Sequence, residues 1–595
     1  MSHSGLEATR PRPARVWAPQ AHNVVLHVER NGVAERIPLT ADGAGWHSGG
    51  DLLDGDHYGF VLDGDGPFPD PRSAFQPGSV HGLSQVVDTS TFEWSDAAWK
   101  GLDPLGAVIY ELHVGTFTPE GTLDAATRHL PRLAAAGIQL VELMPLAPFP
   151  GERGWGYDGV SLSAVHRAYG GPWALQRFVN EAHRHGLGVC LDVVHNHLGP
   201  DGNYLGLYGP YFTDAHHTPW GSAVNLDQPG SDQVRSHLIE SALRWFSEFH
   251  VDALRLDAVH ELHDDSPRHF LAELSDEVAA LAPRLGRPLT LIAESDLNNE
   301  VLVTPTAKGG HGMDLQWADD VHHALHTYLT GERHGYYGEF GSIEVLDHVY
   351  RHVFWHDGKP SQFRQRPWGA PVSPHTDRRK FVVFASNHDQ VGNRALGDRP
   401  SASLTPGAQA TAIAMVLLSP FTPMLFMGEE YGETSPFQFF TDHEPGLGAA
   451  VTAGRLAEFA THGWEELYGR EITVPDPQSP QTFEASQLAH VDSAEASFAA
   501  AREWTDTCMA ARSLTTAPGA WERHPVSVSE TRPRVLTMDG PVRIHANLSG
   551  SSVEFPITEA DAVVGTFGAA VRTGGTLTVP PDAVVLIGVG AIPPE

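Results

Sequence analysis

Two hydrophobic rhythms divide this chain. Between about residues 13 and 88, apolar and polar positions alternate in short runs (RVWAPQA, NVVLHVE, GWHSGG and HYGFVLD) separated by turn residues. Period-two alternation marks strands with one buried face, and their close spacing predicts a β-sandwich. The following stretch, GPFPDPRSAFQPGSVHG, reads as loop from its Gly and Pro content. From about Leu105 the rhythm changes, and unbroken apolar runs alternate with amphipathic helical segments. The runs are AVIYELHV, LVELMPL, GVCLDVV, ALRLDAVH, LTLIAES, MDLQWADD, FVVFASNHD and TPMLFMGEEYG. A strand buried on both faces must be apolar along its whole length, as in a parallel sheet. Eight such units, most followed by a helix, predict a (β/α)8 TIM barrel. No GxGxxG follows the first strand, so the sequence gives no support for a dinucleotide fold. After a helix near Glu495–Ser513, short alternating runs resume: RVLTMDG, VRIHANLS, SVEFPI, AVVGTFG, TLTVP and AVVLIGVG.

The expected organisation is an N-terminal β-sandwich of the Ig-like, carbohydrate-binding-module-like kind over 1–88 and a connector over 89–105. The barrel covers 106–520, with an inserted loop at 196–232, and a C-terminal antiparallel β domain covers 521–595. An insertion that long belongs over the functional face of a barrel.

The formal net charge of −34 disfavours nucleic acid and anionic lipid as partners and suits a neutral substrate, although acidity also serves solubility. Two distant cysteines, Cys190 and Cys508, make no disulfide framework. The first 20 residues lack an apolar signal core, and no run of about 18 apolar residues could span a membrane. These features give a cytoplasmic expectation.

Acids recur at the ends of the barrel strands: Asp192 in LDVVHNH, Asp257 in LRLDAVH, Glu294 in LIAES and Asp389 in ASNHDQ. Strand C-termini converge on one face of a TIM barrel, where its chemistry resides. Glycoside hydrolysis needs two carboxyl groups flanking the scissile bond, one ionised and one carrying a proton. Arg255, two residues before Asp257, shares its strand face and would favour its charged form. Glu294 follows the apolar LTLIA, where burial would favour the protonated acid. Asp389 would be a third acid, and His197 and His388 would hold sugar hydroxyls. A single such acid or histidine could equally be structural; four acids with Arg and His companions argue for a site.

At these residues the chain resembles the alpha-amylase superfamily, glycoside hydrolase family 13, whose four motif regions stand in order. LDVVHNH supplies Asp192, Asn196 and His197. DALRLDAVH supplies Arg255, Asp257 and His260. LIAES supplies Glu294, and ASNHDQ supplies His388 and Asp389. The resemblance implies Asp257 as nucleophile, Glu294 as proton donor and Asp389 as transition-state stabiliser. It implies Tyr157 and Asp158 of GWGYDG, with Asp192, His197, Arg255, His260 and His388, as substrate-binding. His195 stands where relatives usually carry tyrosine. Asn196 corresponds to a calcium ligand in some amylases, but no further ligands can be picked out, so no metal and no cofactor are expected.

The segments HNHLGPDGNYLGLYGPYF, AESDLNN, NHDQVGNRALGDR and MLFMGEEYGE with PFQFFTDH are similar to the superfamily's maltooligosyltrehalose trehalohydrolase branch. That resemblance implies retaining cleavage of an α-1,4 bond beside a terminal trehalose, with maltooligosyltrehalose as substrate. The enzyme would be a monomer or dimer, with maltooligosyltrehalose synthase as its pathway partner. A glycogen branching or debranching enzyme shares the same acids, and a catalytically inactive glucan-binding relative would be expected to lack one of them. Trp155, Trp220 and Tyr204 lie in loops expected to rim the barrel, and for each of them packing is at least as strong an expectation as sugar contact. For Glu429 and Glu430, a salt bridge is the favoured expectation over ligand contact.

Overall fold

In the computed structural model, which describes residues 11–459, 464–491 and 493–589, the eight continuous apolar runs close into one parallel barrel. The strands in order are Ile109–Leu112, Leu140–Leu143, Gly188–Val193, Ala253–Leu256, Thr290–Ala293, Leu315–Trp317, Phe381–Phe384 and Thr422–Phe426. The eighth pairs with the first, so no edge remains. Ile109, Leu140, Cys190, Ala253, Ile292, Leu315, Trp317, Val382, Phe384 and Met424 form one buried cluster. The barrel centre is therefore packed core rather than a pore. Cys190 and Cys508 are buried free thiols.

The N-terminal strands form two antiparallel sheets. One joins Arg12–Trp17, Trp46–Leu52 and Thr40–Gly43; the other is built on Val33–Pro38, Val24–Arg30, His57–Leu62 and Asp65–Phe68. The stretch expected as loop thus begins inside a strand. Its opening GPF continues a hairpin from His57–Leu62, with Phe60 paired to Phe68, because the turn residues Asp63 and Gly64 adopt positive φ and fold the chain back. Two further antiparallel sheets, of five and three strands, follow the helix Ala496–Thr515 and carry the six predicted C-terminal runs plus Ser527–Arg532 and Val571–Thr573.

The insertion after the third barrel strand has structure of its own, a hairpin of Phe212–Thr218 and Gly221–Val224. The N-terminal sheets brace it. The Trp17 ring lies against Gly209 and Gly230, where a Cβ would collide with that ring or with Pro210. The Trp46 indole N–H donates to Gln233 at 3.0 Å, and the Tyr208 hydroxyl donates to the Pro69 carbonyl at 2.8 Å. The sheets thereby hold a long polar loop in place over the barrel mouth.

Candidate active site

The four acids foreseen at strand ends all reach the C-terminal mouth of the barrel. Parallel register sets Asp192 beside Arg255. The ladder runs past the strands, with Asp257 N–H donating to Val193 O and Glu294 N–H to Leu256 O. Both carboxylates therefore leave adjacent strands at the same height.

Arg255 organises them. Its Nη1 donates to Asp192 Oδ2 and to Asp257 Oδ1, each at 2.8 Å, and its Nη2 lies 3.6 Å from Glu294 Oε2. The side chain is fully buried, and its guanidinium lies 4.4 Å from the Trp317 ring centre. A buried cation is tolerable when several anions and an aromatic face surround it. Asn196 completes the holding of Asp257, its amide donating to the backbone carbonyl at 2.7 Å and to Oδ2 at 2.8 Å. Each oxygen of Asp257 thus faces a donor, an arrangement suited to an ionised carboxylate.

Glu294 is held differently. Its Oε2 accepts from the backbone N–H of Ala258 at 2.5 Å. Ala258 adopts left-handed φ of 39°, an uncommon conformation for a residue with a Cβ, and it turns the N–H after Asp257 toward its neighbour. Burial raises the Glu294 carboxyl above its ordinary value; Arg255 opposes this and Asp257 adds to it. The direction is the one expected from LTLIA, and it is that of a group that can carry a proton.

Tyr157 donates to Asp192 at 2.6 Å and stands 2.7 Å from His388 Nε2, its ring stacked on the imidazole at 5.2 Å. His388 Nδ1 lies 2.5 Å from Glu111 Oε1. Burial works against charge on His388, but the carboxylates of Asp389 and Glu111 outweigh it and raise the imidazole to about 9. Burial likewise pushes Asp192 up to about 7 against the pull of Arg255. A protonated His388 donates through both ring nitrogens, so the line Glu111, His388, Tyr157, Asp192, Arg255, Asp257 is hydrogen-bonded throughout. Asp389 follows the seventh strand in the short helix His388–Gly392, which Asn387 caps by accepting from Gln390 N. It is 42% exposed, open to the cleft, and accepts from Asn393 at 3.2 Å.

The remaining predicted residues divide. His197 bonds Asn196 at 2.5 Å and stacks at 4.1 Å under Trp220, which is 52% exposed at the rim. Asp158 lies 3.5 Å from His443 Nε2, and His260 Nε2 lies 3.8 Å from Asp296. Two of the candidate aromatics are packed rather than open at the rim, Trp155 edge-on to His388 at 5.6 Å. Trp155 is buried, stacked on Phe437 and donating to Gln438 O. Tyr204 pairs with His81 of the N-terminal segment at 2.7 Å. Glu430 forms the expected salt bridge, to Arg132 at 2.7 Å, and Glu429 accepts from Ser386. His195 is buried against Phe270 with neither ring nitrogen bonded, and burial holds it near 4 and therefore neutral.

Sequence reasoning missed Glu111, Glu142, Asp296 and Asp319. Glu111 and Glu142 sit mid-strand in IYEL and LVEL, and a carboxylate inside an otherwise apolar strand was the available signal. Glu142 is buried with neither oxygen bonded, and burial raises it well above its usual range. A cavity of about 390 Å³ opens beside Asp389 and Asp296. A larger one, about 580 Å³, is lined by Gly106, Arg379 and Phe421, just before barrel strands one, seven and eight; it lies at the opposite end, away from the acids. Among the described residues, one group has the spacing to hold a cation, His216, Asp227 and Asp265 in and beside the insertion. Asn196 is not part of it; its Oδ1 faces His197 Nδ1 at 2.5 Å and its NH2 donates to Asp257.

Residues 77–206 match the alpha amylase catalytic domain family. A malto-oligosyltrehalose trehalohydrolase from Arthrobacter ramosus is 53% identical over 481 residues, covering 80% of this chain and 82% of the relative. The enzyme of that name from Rhizobium sp. (strain M-11) is 50% identical over 489 residues, covering 81% of each. A crystal structure of an alpha-amylase-type protein from Salmonella typhimurium superposes with TM-score 0.86 at 35% identity, over 98% of this chain and 99% of that one.

Proposed function

Since the chain belongs to the malto-oligosyltrehalose trehalohydrolase family of the alpha-amylase superfamily, we propose that it hydrolyses the α-1,4 bond beside the terminal trehalose of maltooligosyltrehalose, releasing trehalose and a maltooligosaccharide. The observation that carries the mechanism is Arg255 bound to Asp257 and within 3.6 Å of Glu294. It holds both carboxyl groups at adjacent strand ends, where one can attack while the other, its proton favoured by burial, serves the leaving oxygen, as a retaining glycosidase requires.

In this reading Asp257 attacks the anomeric carbon while Glu294 gives its proton to the departing oxygen. Glu294, now ionised, takes a proton from the water that frees the glucan from Asp257. Asp389, with His388, Tyr157 and His197, holds the ring hydroxyls as positive charge develops at the anomeric centre. The leaving group stands on the Glu294 side, where the cavity between Asp296 and Asp389 lies. Tyr336, Phe363 and Trp368 on its walls offer faces for sugar rings. The substrate's supplier would be an enzyme that turns the reducing end of a glucan into a trehalose unit.

Incubation with maltopentaosyl trehalose, plain maltohexaose and amylopectin tests the reading. Trehalose released rapidly from the first supports it. Debranching of amylopectin without release of trehalose would move the chain's activity to another branch of the superfamily.

A further inference from the structure

Five carboxyl groups line the cavity beside Glu294: Asp296, Asp319, Asp320, Glu339 and Asp389. Four have protein partners. Asp296 accepts from Arg364 at 2.7 Å. Asp320 accepts from Asn298 at 2.9 Å and from the backbone N–H groups of Trp355 and His356 at 2.7 and 3.1 Å. Glu339 accepts from Ser361 Oγ at 2.9 Å and from the N–H groups of Gln362 and Phe363. Asp389 accepts from Asn393. Asp319, the first residue of the helix Asp319–Thr330, is half-buried and makes no hydrogen bond or ion pair among the described residues.

A half-buried carboxyl group that lines a cleft without a protein partner is free to bond a ligand that fills the cleft, and the bond strengthens as that ligand displaces water. Building on the function proposed above, we propose that Asp319 is a substrate-binding residue on the leaving-group side. It hydrogen-bonds a hydroxyl of the departing disaccharide, so that a sugar is selected over a smaller leaving group. Burial, and then the negative charges of Glu294 and Asp389, raise the Asp319 carboxyl well above its usual range. A protonated carboxyl both donates and accepts, which matches a sugar hydroxyl.

The test compares two substrates in the full-length enzyme. Maltopentaosyl trehalose places a disaccharide in the cavity; α-maltotriosyl fluoride departs as fluoride and leaves the cavity empty. Asp319→Ala should lose about 10- to 100-fold in kcat/KM on the first, the usual effect of leaving a buried polar partner unpaired, and less than about threefold on the second. Asp319→Asn, neutral but still donor and acceptor, should restore most of the loss. Equal losses on both substrates, or none on either, overturn the assignment. A thermal melt checks that both variants fold, and if Asp319→Ala unfolds, the comparison rests on Asp319→Asn and Asp319→Leu. Wild-type enzyme that consumes the fluoride but frees no trehalose would sink the function and this assignment together. Trehalose release untouched by Asp319→Ala would sink the assignment alone.

Discussion

Nδ1 of His388 lies 2.5 Å from Oε1 of Glu111, and the backbone N–H of His388 donates to Oε2 at 3.0 Å. The two residues are 277 positions apart in sequence and meet because the first and seventh strands flank the eighth. With Asp389, Glu111 keeps His388 charged up to about pH 9. The folded value is raised from the ordinary 6.5, so the stability this charge contributes is fully present below about pH 6.5. It fades as pH rises to about 9.

Glu111→Gln removes one of the two charges that sustain that ionisation. The alkaline limb of the kcat/KM profile should move to lower pH, with about a tenfold loss near pH 8.5. Profiles of variant and wild type, recorded side by side, decide it. Superimposable alkaline limbs would remove Glu111 from this role.

Asp257→Asn and Glu294→Gln should both fold and both lose about 10⁴-fold or more on maltopentaosyl trehalose. The fluoride substrate separates them. Fluoride leaves without a proton, so glycosylation in Glu294→Gln should largely survive and show as a burst of fluoride, whereas Asp257→Asn should give none. A burst from Asp257→Asn would reassign the nucleophile.

Tyr157→Phe deletes the hydroxyl that joins Asp192 to His388. Two buried polar groups then lose a partner, at a cost of about 1–3 kcal/mol each in stability or transition-state binding. A fall of about 10- to 100-fold in kcat/KM is expected. Kinetics within twofold of wild type would show the hydroxyl to be dispensable.

Gly392 ends the short helix that carries Asp389, and a Cβ there would overlap the Trp155 ring. Trp155 is itself wedged against Phe437 and Phe439, so it has little room to retreat. Gly392→Ala should destabilise the fold by about 1–3 kcal/mol and lower activity by displacing Asp389. A Tm equal to wild type with full activity would show that the helix yields instead.

The acids at the barrel mouth were legible because strand ends in a barrel share one face, so a motif read along the sequence becomes a place in space. Arg255 beside Asp257 was legible from strand alternation alone. Glu111 and Glu142 were not, because an acid inside an apolar strand looks like an error of pattern until the barrel closes and sets it beside His388 and Asp192. Trp155 and Tyr204 read as rim aromatics from loop composition, yet a loop's composition says nothing about which way its rings turn. Asp319 escaped notice beside Asp320, since adjacent acids at a helix start usually serve the helix.

By itself, the sequence determined the order of elements, the barrel and the chemistry at its mouth, since burial on both strand faces and the need for paired carboxyl groups leave a periodic mark on the chain. Tertiary structure alone decided which charges share one guanidinium, which carboxyl groups burial pushes toward their protonated form and which acids are left without a partner. Those properties depend on distance and on exclusion of water, and both arise when strands and loops far apart along the chain are brought into contact.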